Sequence, residues 1–294
     1  MKEIRSILVA SDFSDSAELA VQRAGALAGQ FTARLELLHV MSASALGALR
    51  QILPTALDAE AKLVADARQM LDGQAARLTA IDQAAITKRV TVGHIIDEIL
   101  AACKAAGLLV LGARGLNPVR DMILGTTASR LLRKSTLPVL TVKQAVRGPY
   151  KHVIVPVDFS PHSVRALTTA LDVAPGAKIS VIHAYDLPFE GKLWLAGVDE
   201  NEINRYRLQA HQQSLSKIGG LLQGLNGDPA RFHRIVDRGD ASQVILAAEE
   251  KLGADLIVIG KHGQSVVEDF LLGSVTRHVL SDSKCDVLVV QEPR

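Results

Sequence analysis

The sequence predicts an α/β protein built from two tandem, doubly wound, five-stranded parallel-sheet domains. Three observations support this fold class. The chain has 294 residues, a length typical of about two domains. Its two halves contain similar segments in the same order, and within each half short β-branched runs alternate with stretches of helical periodicity. That alternation indicates βαβ units wound around a parallel sheet.

An internal repeat covers most of both halves. Aligned positions are 144 to 148 residues apart, so the offset drifts little and a tandem duplication is inferred. Gly148-Pro149 supplies the turn chemistry of a linker, and we expect one domain over 1–146 and a second over 147–294. The alignment pairs SILVASDFSDSA (6–17) with HVIVPVDFSPHS (152–163), LELLHV (35–40) with ISVIHA (179–184), VTVGHIIDEIL (90–100) with IVDRGDASQVIL (235–246), LLVLGARG (108–115) with LIVIGKHG (256–263), and GTTASRLLRKSTLPVLTV (125–142) with GSVTRHVLSDSKCDVLVV (273–290).

The individual elements follow from local patterns. The apolar runs that begin at Leu108 and Leu256 are continuous, which is typical of a strand covered on both faces. Ser160-Pro161 indicates an N-cap and a first helical turn, and Ser14 or Asp15 caps the equivalent helix. First-half strands are predicted near 4–10, 35–40, 86–92, 108–112 and 138–142, and helices near 15–29, 56–80, 94–106 and 126–135; second-half strands are predicted near 152–157, 178–184, 232–237, 255–259 and 286–290, with a solvated amphipathic helix over 199–225.

Composition excludes several classes of function. Lys+Arg 33 and Asp+Glu 31 leave a net charge of +2, which favours neither nucleic acid nor a membrane surface. Aromatic residues make up 3%, too few for the stacking platforms of single-strand binders. No segment approaches the ~20 apolar residues of a membrane span. We expect no signal peptide, because the first apolar run is broken at Asp12. Two cysteines in unrelated contexts fit a reducing compartment, so we expect a cytoplasmic protein.

Two segments in each half are candidates for ligand binding, because ligands of open α/β sheets bind beyond the carboxyl ends of the strands. One is the aspartate that closes the first strand, Asp12 or Asp158. The other is a glycine loop after the fourth strand. It reads Gly112-x2-Gly115-x9-Gly125-Thr126 in the first half and Gly260-x2-Gly263-x9-Gly273-Ser274 in the second. Each loop opens a helix whose free N–H groups favour an anion, which indicates a phosphate-bearing ligand.

The neighbouring residues refine this interpretation. Arg114 or His262 adds positive charge or hydrogen-bonding capacity near a phosphate. The aspartate either accepts hydrogen bonds from a nucleoside or helps to hold Mg²⁺; its alternative role is that of a helix cap. His39 and His183 are expected to be structural, and the other histidines lack metal-ligand spacing. The sequence contains no P-loop, dinucleotide fingerprint, nucleophile elbow or zinc-protease motif, so a committed catalyst is not predicted.

Both halves resemble universal stress protein domains. The resemblance rests on the strand-end aspartates in ASDFS and PVDFS, the twice-repeated G-x2-G-x9-G-[ST] loop, and the closing strands PVLTV and DVLVV. It implies an adenine nucleotide alpha hydrolase-like fold. ATP-binding members hold the adenine and ribose near the first and second strand ends and the phosphates in the glycine loop. The corresponding residues are Ala10, Ser11, Asp12, Val40, Gly112, Arg114, Gly115, Gly125, Thr126 and Thr127 in the first half, and Pro156, Val157, Asp158, Ala184, Gly260, His262, Gly263, Gly273, Ser274 and Val275 in the second.

Three departures from the family pattern stand out. Pro118 lies within the first loop, Glu268-Asp269 adds negative charge to the second, and Asp286 replaces the proline that usually precedes the last strand. Similar proteins pair through their last strands. Because an unpaired apolar strand edge invites partners, we expect the two halves to pair with each other and leave a homodimer open.

The resulting hypothesis is a cytoplasmic stress-response protein that binds ATP or another adenine nucleotide, with or without Mg²⁺, as a regulator or protector rather than a turnover enzyme. One alternative is a ligand-free dimerising interaction module whose loops are structural. A second is slow ATP hydrolysis without a dedicated base. Neither nucleic acid nor a membrane is expected as a partner.

Overall fold

A computed structural model describes residues 4–52, 56–115, 124–187, 190–225, 228–263 and 272–291. Each predicted strand is present in it. The strands are β1 (Ser6–Ala10), β2 (Arg34–Ser42), β3 (Ile86–Gly93), β4 (Leu108–Gly112), β5 (Val139–Val142), β6 (His152–Pro156), β7 (Lys178–Tyr185), β8 (Phe232–Arg238), β9 (Leu256–Gly260) and β10 (Asp286–Val290).

The helices include those predicted from the sequence and two that were not. The short helices α2 and α7 fall in regions that the two halves do not share, so the repeat gave no signal for them. The helices are α1 (Asp15–Phe31), α2 (Ala43–Ile52), α3 (Ala56–Ala76), α4 (Ile95–Cys103), α5 (Thr126–Lys134), α6 (Pro161–Val173), α7 (Glu190–Leu195), α8 (Glu200–Gln223), α9 (Ala241–Leu252) and α10 (Ser274–Asp282).

The predicted helix starts are also observed. The Ser14 hydroxyl accepts a hydrogen bond from the Ala17 amide and caps α1, and Ser160 caps α6 with Pro161 in the first turn. Between the two candidates for capping α1, the structure therefore selects Ser14 over Asp15. An N-cap serine supplies an acceptor to an amide that otherwise has no partner within the helix.

All ten strands form one continuous sheet in the order β3-β2-β1-β4-β5-β10-β9-β6-β7-β8. Within each half the five strands are parallel. In each half the strand order reverses beside the first strand, which lies between the second and the fourth. This reversal is the doubly wound arrangement, and it opens a crevice at the carboxyl ends of those strands.

The sheet is the middle layer of three. One buried cluster packs α1 and α6 against the sheet, with Val9 and Val155 among its strand residues. The other packs α4, α5, α9 and α10 against the opposite face, where Leu8 and Ile154 lie. Adjacent strand residues thus contribute to opposite cores, which explains why the central strands are apolar at most positions.

The two halves meet where β5 runs antiparallel to β10. Leu140 lies opposite Leu288, and Val139 lies opposite Val289. Leu140 and Leu288 are also equivalent in the repeat, 148 residues apart. Each half therefore contributes the same residue to the centre of the junction, which is the contact pattern of an isologous interface.

Among the described helices, none combines the length and the apolar character that a membrane crossing requires.

Candidate functional site

Two equivalent cavities lie at the carboxyl ends of the central strands. The first, of about 380 Å³, is at the ends of β1 and β4, and the second, of about 410 Å³, is at the ends of β6 and β9. All twenty residues that the sequence singled out line these cavities. The first is lined by Ala10, Ser11, Asp12, Val40, Gly112, Arg114, Gly115, Gly125, Thr126 and Thr127. The second is lined by Pro156, Val157, Asp158, Ala184, Gly260, His262, Gly263, Gly273, Ser274 and Val275.

The strand-end aspartate organises the start of the following helix in both halves. Asp12 Oδ1 accepts hydrogen bonds from the Ser14 amide at 3.1 Å and the Ser14 hydroxyl at 2.6 Å. Asp158 makes the same two contacts with Ser160, at 3.1 and 2.6 Å. The aspartate is therefore not the helix cap itself, as one sequence interpretation proposed. It orients the serine that is.

The residue after each aspartate adopts a backbone conformation that is uncommon for a bulky side chain. Phe13 and Phe159 both have φ of +65°, in the left-handed region that non-glycine residues seldom occupy. Because the same conformation recurs in both halves, it is part of the loop that turns the aspartate toward the cavity. Such strain persists where the surrounding structure fixes it, often at binding sites.

The glycines of each loop are required for different structural reasons. A Cβ on Gly112 would lie 2.6 Å from the Ser16 carbonyl oxygen at the start of α1. This first glycine therefore allows the helix to pack against the strand end. A Cβ on Gly115 would lie 2.7 Å from Asp12 Oδ2, and one on Gly263 would lie 2.7 Å from Asp158 Oδ2. The second glycine of each loop thus keeps the space beside the carboxylate open.

The third glycine of each loop begins a helix that points its N-terminus at the cavity. Gly125 and Gly273 are the N-caps of α5 and α10, and neither helix has a side-chain cap. Each glycine amide is bound to a loop carbonyl, Gly125 to Ala113 at 2.8 Å and Gly273 to Lys261 at 3.0 Å. The next amides of each helix have no intrahelical partner. Together with the positive end of the helix dipole, they form a site suited to an anion.

Further residues, most of them apolar, complete each cavity. In the first cavity they come from α1, β2, α4, β4 and α5, and in the second from the equivalent elements α6, β7, α9, β9 and α10. Their apolar spacing on a helix predicts burial, but not which buried residues border a cavity. The additional lining residues are Ala17, Leu38, His39, Ile95, Ile99, Leu111 and Ala128 in the first cavity, and Ser163, Ile182, Ala241, Ile245, Ile259 and Thr276 in the second.

The strand-end histidines hold the aspartate loops. His39 Nδ1 lies 2.8 Å from the Ser11 carbonyl oxygen, and its ring is 4.4 Å from that of Phe13. His183 repeats both contacts, 2.8 Å from the Val157 carbonyl oxygen and 4.5 Å from the Phe159 ring. These contacts fit the structural role expected for both residues. His39 additionally lines the first cavity.

Pro118, Glu268 and Asp269 fall outside the described residues. Trp194, in α7, is 61% exposed and is not among the residues described as lining the second cavity. Across the described ranges, no group of three or more histidine, cysteine, aspartate or glutamate side chains is arranged to hold a metal ion.

Comparison with known proteins identifies relatives of the whole chain and of about half of it. A universal stress protein from Mycolicibacterium smegmatis is 28% identical over 310 residues, covering 97% of this chain and 96% of the relative. Universal stress protein A homolog 2 from Coxiella burnetii is 32% identical over 148 residues, covering 48% of this chain and 95% of the relative. The crystal structure of a universal stress protein from Archaeoglobus fulgidus has a TM-score of 0.64 and 20% identity, with 99% of both chains covered, and shows the same fold.

The model of the universal stress protein family matches twice, over residues 3–143 and 149–291. These matches span most of the chain and contain both aspartate loops and both glycine loops. The chain therefore belongs to the universal stress protein family and carries the family's domain in two tandem copies.

Proposed function

We propose that this chain binds an adenine nucleotide in each of its two cavities and acts as a cytoplasmic, ligand-responsive regulator rather than a turnover enzyme. One observation carries the proposal. The twenty residues that the family resemblance identified line two equivalent cavities, each combining an apolar wall, a carboxylate and an uncapped helix N-terminus. A concave, mostly apolar pocket with a few convergent polar groups is typical of a small-molecule site.

Each cavity has an apolar end and a polar end. The apolar wall, with Leu38 and Ile95 in the first half and Ile182 and Ala241 in the second, suits a purine ring. The amides at the start of α5 or α10 suit phosphate oxygens. Mg²⁺ usually binds through phosphate oxygens, water and one or two carboxylates. Since one aspartate lines each cavity, a magnesium ion would arrive with the nucleotide and not occupy a site of its own.

The direct test is to denature freshly purified chain, identify any released nucleotide by mass spectrometry and count it per chain. We expect an adenine nucleotide at one to two equivalents, or a thermal shift when ATP and Mg²⁺ are added to protein that is empty. An empty protein that shows no shift at millimolar ATP would contradict the proposal and favour the ligand-free interaction module.

Glycine substitutions test the location of the sites. Gly115→Val places a side chain against Asp12, and Gly263→Val does the same at Asp158, because even a Cβ would lie 2.7 Å from the carboxylate. Each variant should lose about a hundredfold in nucleotide affinity in its own cavity, measured by titration calorimetry. Neither glycine has a positive φ, so the substitution adds no backbone strain of that kind.

Matched controls are available in the same halves. A Cβ on Gly47 or Gly176 would meet no atom within 4 Å, so Gly47→Val and Gly176→Val should bind nucleotide as the parent chain does. Equal affinity in Gly115→Val, Gly263→Val and the controls would exclude these cavities as the binding sites. Phosphate release in the same samples separates binding from slow hydrolysis, since true hydrolysis must disappear in the variants that do not bind.

A further inference from the structure

The two cavities are equivalent in position but differ in the groups that would contact phosphate. The repeat places His262 where the first half has Arg114, and Val275 where it has Thr127. The cavity volumes, about 380 and 410 Å³, are nearly the same. The two cavities therefore offer similar space, and the side chains at these two positions distinguish their phosphate ends.

The phosphate end of the first cavity is rich in donors and carries a permanent cation. Thr126 and Thr127 are exposed, follow the N-cap of α5 and line the cavity together with Arg114. Among the described residues, no carboxylate forms an ion pair with Arg114, whose backbone amide is held by the Ser16 hydroxyl at 3.2 Å. Arginine stays charged at every physiological pH and binds phosphate in a bidentate manner.

The second cavity has fewer groups suited to phosphate among its described lining residues. Val275 provides no hydroxyl, and the hydroxyl of Thr276 donates to the Gly260 carbonyl at 2.8 Å, so it does not replace the missing donor. Ser274 remains exposed at the start of α10. The ring of His262 packs edge-on against that of His162, with centroids 5.6 Å apart, and histidine does not carry the permanent charge of arginine.

We infer that the two halves select different classes of nucleotide. The first cavity prefers a nucleoside di- or triphosphate, and the second accepts a nucleoside monophosphate as well as or better than a polyphosphate. The inference rests on the proposed function and assigns each site its ligand. A polyphosphate needs more donors and positive charge than a single phosphate group. Among the described lining residues, those of the first cavity include an arginine and two threonines that follow the helix N-cap, and those of the second do not.

The test compares ATP with AMP in chains that keep one functional cavity. Gly263→Val leaves only the first cavity functional, and Gly115→Val leaves only the second. Calorimetry measures the affinity of each variant for ATP and for AMP in the presence of Mg²⁺. We expect the first cavity to bind ATP at least tenfold more tightly than AMP. The second should show a ratio near one or below.

A reciprocal exchange identifies the responsible residues. Arg114→His with Thr127→Val should remove the ATP preference of the first cavity, whereas His262→Arg with Val275→Thr should raise that of the second about tenfold. Arg130→His, an exposed substitution on α5 away from the cavity lining, should change neither ratio. Equal ATP-to-AMP ratios in the two cavities, or an exchange without effect, would overturn the inference while nucleotide binding stands. Absence of binding in the parent chain would overturn the proposed function and this inference together.

Discussion

At the scale of single residues, Thr141 is a polar side chain in a place that favours an apolar one. It lies in β5 opposite Val287, is fully buried, and its hydroxyl makes no hydrogen bond within the described part of the chain. The equivalent position in β10, 148 residues later, is Val289. Valine has nearly the shape of threonine without its hydroxyl, so the second half fills the same position without burying a polar group.

Thr141→Val should therefore stabilise the protein. Removing a buried hydroxyl without a partner is expected to raise the free energy of unfolding by about 1 kcal/mol, measured by urea denaturation. The reverse change in the other half, Val289→Thr, should lower it by a similar or larger amount. A less stable Thr141→Val chain would mean that the hydroxyl makes a favourable interaction in solution, such as one with a buried water.

Residues that line the two cavities could be predicted because their signals are local and occur twice. Asp12 and Gly115 belong to short motifs with identical spacing in both halves, at the strand ends where this fold binds ligands. The structural role of each glycine could not be predicted in the same way. Gly112 accommodates helix α1, whereas Gly115 borders a carboxylate, and only the packed structure distinguishes these two roles.

At the scale of elements, the two helices that face the cavities are each held at their far end by a lysine from the other half. Lys261 Nζ donates to the Arg133 carbonyl at 2.7 Å, near the C-terminus of α5. Lys143 Nζ donates to the carbonyls of Leu280 and Ser283, at 2.8 and 2.7 Å, at the C-terminus of α10. A cation at a helix C-terminus complements the helix dipole. Each cavity-facing helix is thus held at its C-terminal end by the opposite half.

The Lys143 contact makes stability depend on pH. Burial lowers the pKa of Lys143 from 10.5 to about 8. Between these values the unfolded chain holds the proton and the folded chain releases it, so the contribution of Lys143 to stability rises with pH across this window. Relative to Lys143→Met, the parent chain should gain stability from pH 8 to 10, by at most about 1.4 kcal/mol per pH unit.

Urea denaturation at several pH values measures this difference. Lys62→Met, which removes an exposed lysine of α3, should follow the parent chain throughout. A constant difference between the parent chain and Lys143→Met across the window would show that Lys143 keeps its proton when folded.

The strands were predicted more completely than the helices, for physical reasons. A strand buried on both faces leaves a continuous apolar run, and each run occurs twice. Helices α2 and α7 lie in regions that the repeat does not share, and each carries exposed apolar residues, Ile52 in α2 and Leu195 in α7. Both helices are also short, with 10 and 6 residues, so each shows few repeats of the helical period from which it could be predicted.

At the scale of the whole molecule, a buried network joins the first half, the linker and the second half. Asp286 in β10 is fully buried and forms an ion pair with Arg23 of α1 at 3.3 Å. It also accepts hydrogen bonds from the Tyr150 hydroxyl at 2.7 Å and the Lys143 amide at 2.9 Å. Arg23 in turn donates to the Gly148 carbonyl at 3.0 Å and lies 4.2 Å from the centre of the Tyr150 ring.

In the sequence, Asp286 stands out only as a departure from the family proline. Its partners are up to 263 residues away, so no local pattern identifies them. The repeat does not help either, because Pro138 occupies the equivalent position and cannot form such a network. Burial raises the pKa of Asp286 above its ordinary value of 3.8, while the Lys143 amide, Tyr150 and Arg23 oppose that rise. The carboxylate therefore depends on these partners to remain charged in the interior.

Removing only one member of the Arg23–Asp286 ion pair should destabilise the protein, since the other charge is then left uncompensated. Asp286→Asn leaves Arg23 buried without its counterion and is expected to lower the free energy of unfolding by about 3–5 kcal/mol. Adding Arg23→Met removes that stranded charge, so the double variant should be more stable than Asp286→Asn alone, as measured by urea denaturation. If the double variant instead loses as much stability as Asp286→Asn and Arg23→Met lose together as single variants, Arg23 and Asp286 do not interact. The halves would then be held together by the β5–β10 pairing and the lysine contacts.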